Sequence, residues 1–330
     1  VTRRKTLDPD DVRVFSGTSH PELAAGIAKY LRVPLEKTAT THFSNTNLYI
    51  QLGASVRSRA VFIVQSLTPP ANEHLMELLM MLDIVRSAAA REVHAIIPYF
   101  SYARSDKKDA PRISITARLI ANLLETAGAT HVMTMTLHAP QVHGFFNVPT
   151  DPLTARGLFT RHFRKRLGKR DLSTTIVVAP DAGRARSAAR FASSLGLPTV
   201  AADKTRISDK EVKMGELLGK QVQGFRRAII YDDEIATGGS VIALSDLLIK
   251  NGVEEIAAIC THGVFTEGAL ERLTAIPQIT EIVTTNTVPI PPEKRVPHMT
   301  VLSVASIFGE AIRRNYWRES IGDLFSFWED

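Results

Sequence analysis

Between Ala228 and Ser240 the chain reads Ala-Ile-Ile-Tyr-Asp-Asp-Glu-Ile-Ala-Thr-Gly-Gly-Ser. An apolar run ends in adjacent carboxylates, Asp232 and Asp233, and a Thr-Gly-Gly-Ser turn then opens an apolar-periodic run to Lys250. A Gly-rich turn beyond a strand lets backbone N–H groups approach a phosphate, and the following helix N-terminus favours its negative charge. The carboxylates can accept hydrogen bonds from sugar hydroxyls or hold Mg²⁺ through water. Phosphate plus sugar hydroxyls describes a phosphorylated pentose.

Other strand-end segments carry reactive types. Pro180-Asp181-Ala-Gly-Arg184 follows an apolar run and opens a helix, a second place where amides and a carboxylate converge. Lys204-Thr-Arg206 runs into polar sequence to Lys213 that lacks helix or strand periodicity. It reads as a loop carrying cations, able to close over phosphates beside such a site. The segment from Pro98 to Lys108 combines three aromatic rings with Arg104, Lys107 and Lys108, suited to stacking on a base and contacting a polyphosphate. His138 ends a further strand, and none of the 10 histidines has the H-E-x-x-H spacing of a zinc pair. Neither G-x-x-x-x-G-K-[ST] nor G-x-G-x-x-G occurs, so any use of ATP follows a different plan.

The elements that must position these residues alternate. Strand-like runs at 59–65, 94–98 and 132–137 are separated by a helical pattern after Pro70 (Leu75, Leu78, Leu79, Leu82, Val85) and another at 115–127. Met76, Met80 and Met81 read as core filler. The second half repeats the rhythm, with strands at 175–179, 199–202, 228–231 and 256–261 and helices at 185–195, 241–250 and 267–273. A final helix spans 307–316. Alternating β and α predicts an α/β fold of mainly parallel sheets flanked by helices. Pro149 and Pro152 bracket a polar stretch, which divides the chain into domains 1–152 and 153–330, with the last helix able to pack on either.

Composition bounds the rest. The chain has 330 residues, 44% hydrophobic and 22% charged, enough for two well-buried domains. A single cysteine, Cys260, excludes an internal disulfide and fits a reducing, cytoplasmic location. No apolar run approaches the roughly 18 residues of a membrane span, and the start lacks the apolar core of a signal peptide. The net charge of +6 is scattered. Its one dense cluster, Arg161 to Arg170, reads as a solvated helix face, so anionic small molecules rather than nucleic acid or membrane are the expected partners.

Together the motifs resemble ribose-phosphate diphosphokinase, the phosphoribosyl pyrophosphate synthetase family. The likeness runs from about Arg13 to Phe325 through Phe43-Ser-Asn45, Pro98-Tyr-Phe-Ser-Tyr-Ala-Arg104, Leu137-His-Ala, Gly144-Phe-Phe, Pro180-Asp-Ala-Gly183, Lys204-Thr-Arg206, Asp232-Asp233 with Thr237-Gly-Gly-Ser240, and Val283-Thr-Thr-Asn-Thr287. The resemblance implies two phosphoribosyltransferase-like α/β domains. It also implies transfer of the β,γ-diphosphate of Mg-ATP to the 1-hydroxyl of ribose 5-phosphate, giving AMP and phosphoribosyl diphosphate for nucleotide, histidine and tryptophan biosynthesis.

On matching positions it makes Lys204 and Arg206 the catalytic cations. It assigns Phe43, Asn45, Asn47, Arg104, Ser105 and Asp106 to ATP, and His138 and Asp181 to Mg²⁺. Asp232, Asp233, Ala236, Thr237, Gly238, Gly239 and Ser240 take ribose 5-phosphate. It also implies a homo-oligomer, a dimer or hexamer, in which the Phe43 loop serves a neighbouring subunit. Several positions depart from the usual pattern. Ala236 stands where Asp is common, Arg184 where Gly is common, Thr205 inside Lys-Arg-Arg, Asn47 for an acid and Ser105 for Gln, and Thr136 and Asn147 fill positions often held by carboxylates. The rival readings are a non-catalytic regulatory homologue of the synthetase, and a base phosphoribosyltransferase, which usually needs only one such domain.

Overall fold

A computed structural model describes residues 5–168, 172–202, 204–206, 212–214 and 216–325, with the backbone alone at 204–206, 212–214, 216 and 217. The chain divides into two compact units. The first holds residues through Thr154, Thr287–Pro289 and the chain from Ser303; the second holds Ala155–Asn286 and Ile290–Leu302.

In chain order the first unit contains β1 (Val12–Ser16), α1 (Pro21–Leu31), β2 (Leu35–Glu36), β3 (Thr38–His42), β4 (Leu48–Leu52), β5 (Ala60–Val64), α2 (Ala71–Ser87), β6 (Glu92–Ile97), α3 (Thr116–Ala127), β7 (His131–Met135) and β8 (Thr150–Leu153). Its six-stranded sheet has the order β2-β1-β5-β6-β7-β8 with every neighbouring pair parallel. β5 reads Ala-Val-Phe-Ile-Val and is buried throughout, as a strand covered on both faces must be. Leu78, Met81, Leu82 and Val85 of α2 and Ala117, Ile120, Ala121 and Leu124 of α3 join Val61, Ile63, Ala95 and Ile97 in one core.

The second unit contains α4 (Arg156–Leu167), β9 (Thr175–Ala179), α5 (Ala185–Leu195), β10 (Thr199–Ala201), β11 (Lys204–Arg206), β12 (Val212–Met214), α6 (Glu216–Val222), β13 (Arg227–Ile235), α7 (Gly239–Lys250), β14 (Glu255–Gly263), α8 (Ala269–Thr274), β15 (Ile279–Thr285) and β16 (Met299–Leu302). Its sheet, β10-β9-β13-β14-β15-β16, is again wholly parallel. The topology matches the first unit strand for strand. Each unit also inserts a separate antiparallel pair, β3–β4 or β11–β12, between its second and third sheet strands.

The chain returns to the first unit with α9 (Ala305–Tyr316). Here α9 lies against α1 through small residues. A Cβ on Gly26 would sit 3.0 Å from the Ala305 Cβ, and one on Gly309 would fall 2.3 Å from the Tyr30 ring. The Tyr30 hydroxyl then donates to Glu310 at 2.9 Å.

Several sequence expectations change. β13 continues through both aspartates to Ile235 rather than stopping at Tyr231, because β14 supplies ladder partners as far as Gly263. Part of the polar segment expected as a loop is the β11–β12 ladder. A pair that bonds only to itself and joins neither large sheet needs no apolar alternation, and residues 207–211 lie outside the described residues. Met81 is core and half-buried Met80 packs against it, but Met76 is exposed. Of the basic cluster, Arg161, Arg164, Lys165 and Arg166 lie exposed on α4, and Lys169 and Arg170 lie outside the described residues. Among the described residues no helix is long and apolar enough to cross a membrane.

Candidate active site

In the second unit, strand order reverses between β9 and β13, and an open parallel sheet binds its ligands beyond the strand ends at such a switch point. β9 pairs with β13 only as far as Val178↔Ile230, then leaves after Ala179 into Pro180 and Asp181. β13 runs on for Tyr231 to Ile235 with β14 alone beside it. Asp232 and Asp233 therefore flank the gap that β9 leaves.

The paired acids are held tightly. Asp232 Oδ1 accepts the Asp233 N–H at 2.8 Å, and Asp233 is 4% exposed. Desolvation, followed by the negative charge of Asp233, raises Asp232 well above the usual carboxylate range. Arg184 Nη1 lies 3.4 Å from Asp233 Oδ2. Asp181 shapes the facing loop, its carbonyl and Oδ1 accepting the Arg184 N–H at 3.2 and 3.1 Å where α5 begins.

Beyond β13 the Thr237–Ser240 turn opens α7. Gly238 is its N-cap, with φ 78°, a left-handed conformation that costs little without a Cβ. The carbonyl of Gly238 accepts the Ile242 N–H at 2.9 Å, while the N–H groups of the first helical turn have no intrahelical partner. A helix N-terminus of this kind favours negative charge. Arg272 of α8 pins the turn from outside, donating to the carbonyls of Thr237 and Glu267, each at 2.6 Å. Nothing in the spacing of the sequence marks Arg272 for this task.

The corresponding place in the first unit is filled from within. β1 leaves into Gly17-Thr-Ser-His20 and β5 ends before Gln65, as β9 and β13 do in the second unit. There Glu77 of α2, 1% exposed, accepts from the Thr18 N–H and hydroxyl (3.0 and 2.7 Å), Gln65 Nε2 (2.5 Å) and the Thr40 hydroxyl (2.9 Å). A Cβ on Gly17 would come within 2.2 Å of Gln65 Oε1. The protein's own carboxylate occupies this switch point, and the second unit has no counterpart of Glu77 among the described contacts at Asp232, Asp233 and the Thr237–Ser240 turn.

The first unit carries the remaining candidates on its other strand-end loops. Arg104, Ser105 and Asp106 follow β6, and His138, half-buried, follows β7. Gln141 Nε2 donates to the Asp106 carboxylate and joins the two loops. Phe43, Asn45 and Asn47 lie exposed at the β3–β4 tip, where a turn from Phe43 to Thr46 and an Asn47 N–H donated to Asn45 Oδ1 fix its shape. Asn147 has a local reason for being uncharged, since its N–H and Nδ2 both donate to the Glu125 carboxylate.

Lys204 and Arg206 lie on β11, but their side chains fall outside what is described. His138 and Asp181 belong to different units, and among the described residues no three His, Cys, Asp or Glu converge as a metal cluster. Cys260 is a structural thiol. It is fully buried, pushed up in pKa by that burial, and bonded to Thr284 Oγ1 at 3.4 Å.

Two doubly wound parallel sheets of this order define a pair of phosphoribosyltransferase-like α/β domains. Residues 12–128 match the N-terminal domain of ribose phosphate pyrophosphokinase, and residues 208–326 the phosphoribosyl synthetase-associated domain. A Streptomyces coelicolor relative bearing the ribose-phosphate pyrophosphokinase name is 48% identical over 96% of this chain and 98% of its own. The Deinococcus radiodurans ribose-phosphate pyrophosphokinase is 43% identical over 95% and 97%. The crystal structure of phosphoribosylpyrophosphate synthetase from Mycobacterium smegmatis superposes with a TM-score of 0.86 at 36% identity, covering 93% of this chain and 99% of that one. The chain belongs to the ribose-phosphate pyrophosphokinase family and is an enzyme of that class.

Proposed function

We propose that this enzyme moves the β,γ-diphosphate of ATP to the 1-hydroxyl of ribose 5-phosphate. The observation that carries this reading is the switch point of the second unit, where the strand bearing the Asp232–Asp233 pair runs into a positive-φ glycine turn at a helix N-terminus. Thr237, Gly238, Gly239 and Ser240 surround the 5-phosphate with Ala236 beside them, and the two aspartates accept the ribose hydroxyls. Phe43, Asn45, Asn47, Arg104, Ser105 and Asp106 contact ATP.

The sugar O1 attacks the β-phosphorus, the bond from that phosphorus to the α,β-bridging oxygen breaks, and AMP departs. The hydroxyl proton goes to solvent, since no side chain is assigned as its base. Little covalent work falls to the protein, so alignment and fixed cations set the rate, with Lys204 and Arg206 in that role.

Mg²⁺ takes one or two carboxylates and completes its shell with water and substrate phosphates, and of the two residues assigned to it Asp181 offers such an oxygen. Its Oδ1 accepts the Arg184 N–H in the loop after β9, while His138, assigned by family likeness alone, lies in the first unit. When bound, the ion neutralises phosphate charge. The working form is a homo-oligomer, a dimer or hexamer, in which the exposed Phe43 tip reaches a neighbouring subunit, and its location is cytoplasmic.

One assay tests the reading: AMP formation from ATP with and without ribose 5-phosphate. AMP that depends on the sugar is expected, while no turnover under any condition favours a regulatory homologue and a requirement for a purine or pyrimidine base favours a base transferase. A second expectation concerns Gly238. Valine there must adopt φ 78°, which costs a β-branched residue about 1–3 kcal/mol, and it disturbs the amides of the turn. Gly238→Val should raise KM for ribose 5-phosphate by about 10-fold or more with KM for ATP little changed; an unaffected sugar KM removes the turn from the phosphate site.

A further inference from the structure

The acid pair of the second unit has a cationic partner on the opposite side of the gap. Arg184 stands at the N-cap of α5, its backbone fixed by the Asp181 turn, and from there its guanidinium reaches β13. Its Nη1 lies 3.4 Å from Asp233 Oδ2, and the two side chains are only 13% and 4% exposed. The pair therefore spans the loop after β9 and the strand carrying both aspartates, the two borders of the cradle.

Adjacent carboxylates create a local problem for a site meant to receive a phosphate dianion. The negative charge carried by the pair repels the ligand, and Asp233 has lost most of its water. A cation with an anchored backbone answers both difficulties, because it compensates the charge and limits the directions in which Asp233 can turn.

We propose that Arg184 is a positioning residue for the phosphorylated sugar, acting through Asp233 to hold the acid pair oriented and charge-compensated. This rests on the ribose 5-phosphate reading given above. At 3.4 Å the Nη1–Oδ2 approach is a charge contact longer than a typical charge-assisted hydrogen bond, so a lysine point charge should serve nearly as well.

The test compares wild type, Arg184→Met and Arg184→Lys. Ribose 5-phosphate alone is titrated calorimetrically in the absence of nucleotide, steady-state rates are measured in parallel, and thermal melting of each variant reports its folding. The Met variant should bind the sugar about 10-fold or more weakly, the Lys variant within about threefold of wild type, and kcat at saturation should stay within about threefold in both. If the Met variant does not fold, Arg184→Gln is read in its place. Unchanged or tighter binding by the neutral variant overturns the inference, as does a folded Lys variant no better than Met. Wild-type protein that fails to bind ribose 5-phosphate overturns the reading of the site itself, and this inference with it.

Discussion

Lys204→Ala should lower kcat by about 10²–10³-fold while KM for either substrate changes only modestly. As oxygen attacks the β-phosphorus, negative charge grows on the equatorial and leaving oxygens, and a cation placed there interacts more strongly with the transition state than with bound substrate. β11, which carries Lys204, is entered from β10, and β10 pairs with β9 at the edge of the switch point. The chain therefore reaches this position directly from the strand next to the cradle. Such a loss separates Lys204 from Gly238, whose replacement acts on sugar binding. Steady-state kinetics with each substrate varied in turn decides the matter, and an unchanged kcat removes Lys204 from the chemistry.

What could be read ahead of the structure follows from where burial writes a pattern. β9 and α5 fall on the expected residues because Pro180 cuts a continuous apolar run and Gly196, at φ 69°, stops an amphipathic one. β3 and β4 carry no comparable mark. Their pair stands apart from the sheet, β3 is exposed at Ala39, Thr41 and His42, and Phe43 could be named only through family likeness. The apolar run predicts a strand ending at Tyr231, since acids are depleted in strands, yet Asp232 and Asp233 sit in β13 beyond the point where β9 leaves it. Local sequence could place the cradle's own residues, which are contiguous. It could not pair Arg184 with Asp233 or Arg272 with the Thr237 carbonyl, since those contacts exist only after the sheet has formed.

Glu77 shows the same limit with a larger energetic consequence. By helical spacing it reads as an outward position among Leu75, Leu78 and Leu82 of α2, yet it is 1% exposed and binds the β1–α1 loop, Gln65 and β3 together. Glu77→Ala leaves the Gln65 amide without that acceptor in a buried setting and opens a void, at a cost of about 3 kcal/mol. For a unit of this size the melting temperature should fall by roughly 6–12 °C. Glutamine should recover only part of the loss, because its amide group turns a donor toward donors. The kinetic effect should also be directional. Thr40 is the bond that ties β3 to α2 through this carboxylate, so freeing it loosens the hairpin whose tip is assigned to ATP. KM for ATP should therefore rise in the folded variant at low temperature while KM for ribose 5-phosphate, read in the other unit, holds steady. Equal shifts in both constants would mean that Glu77 supports the fold as a whole and not the placement of the hairpin.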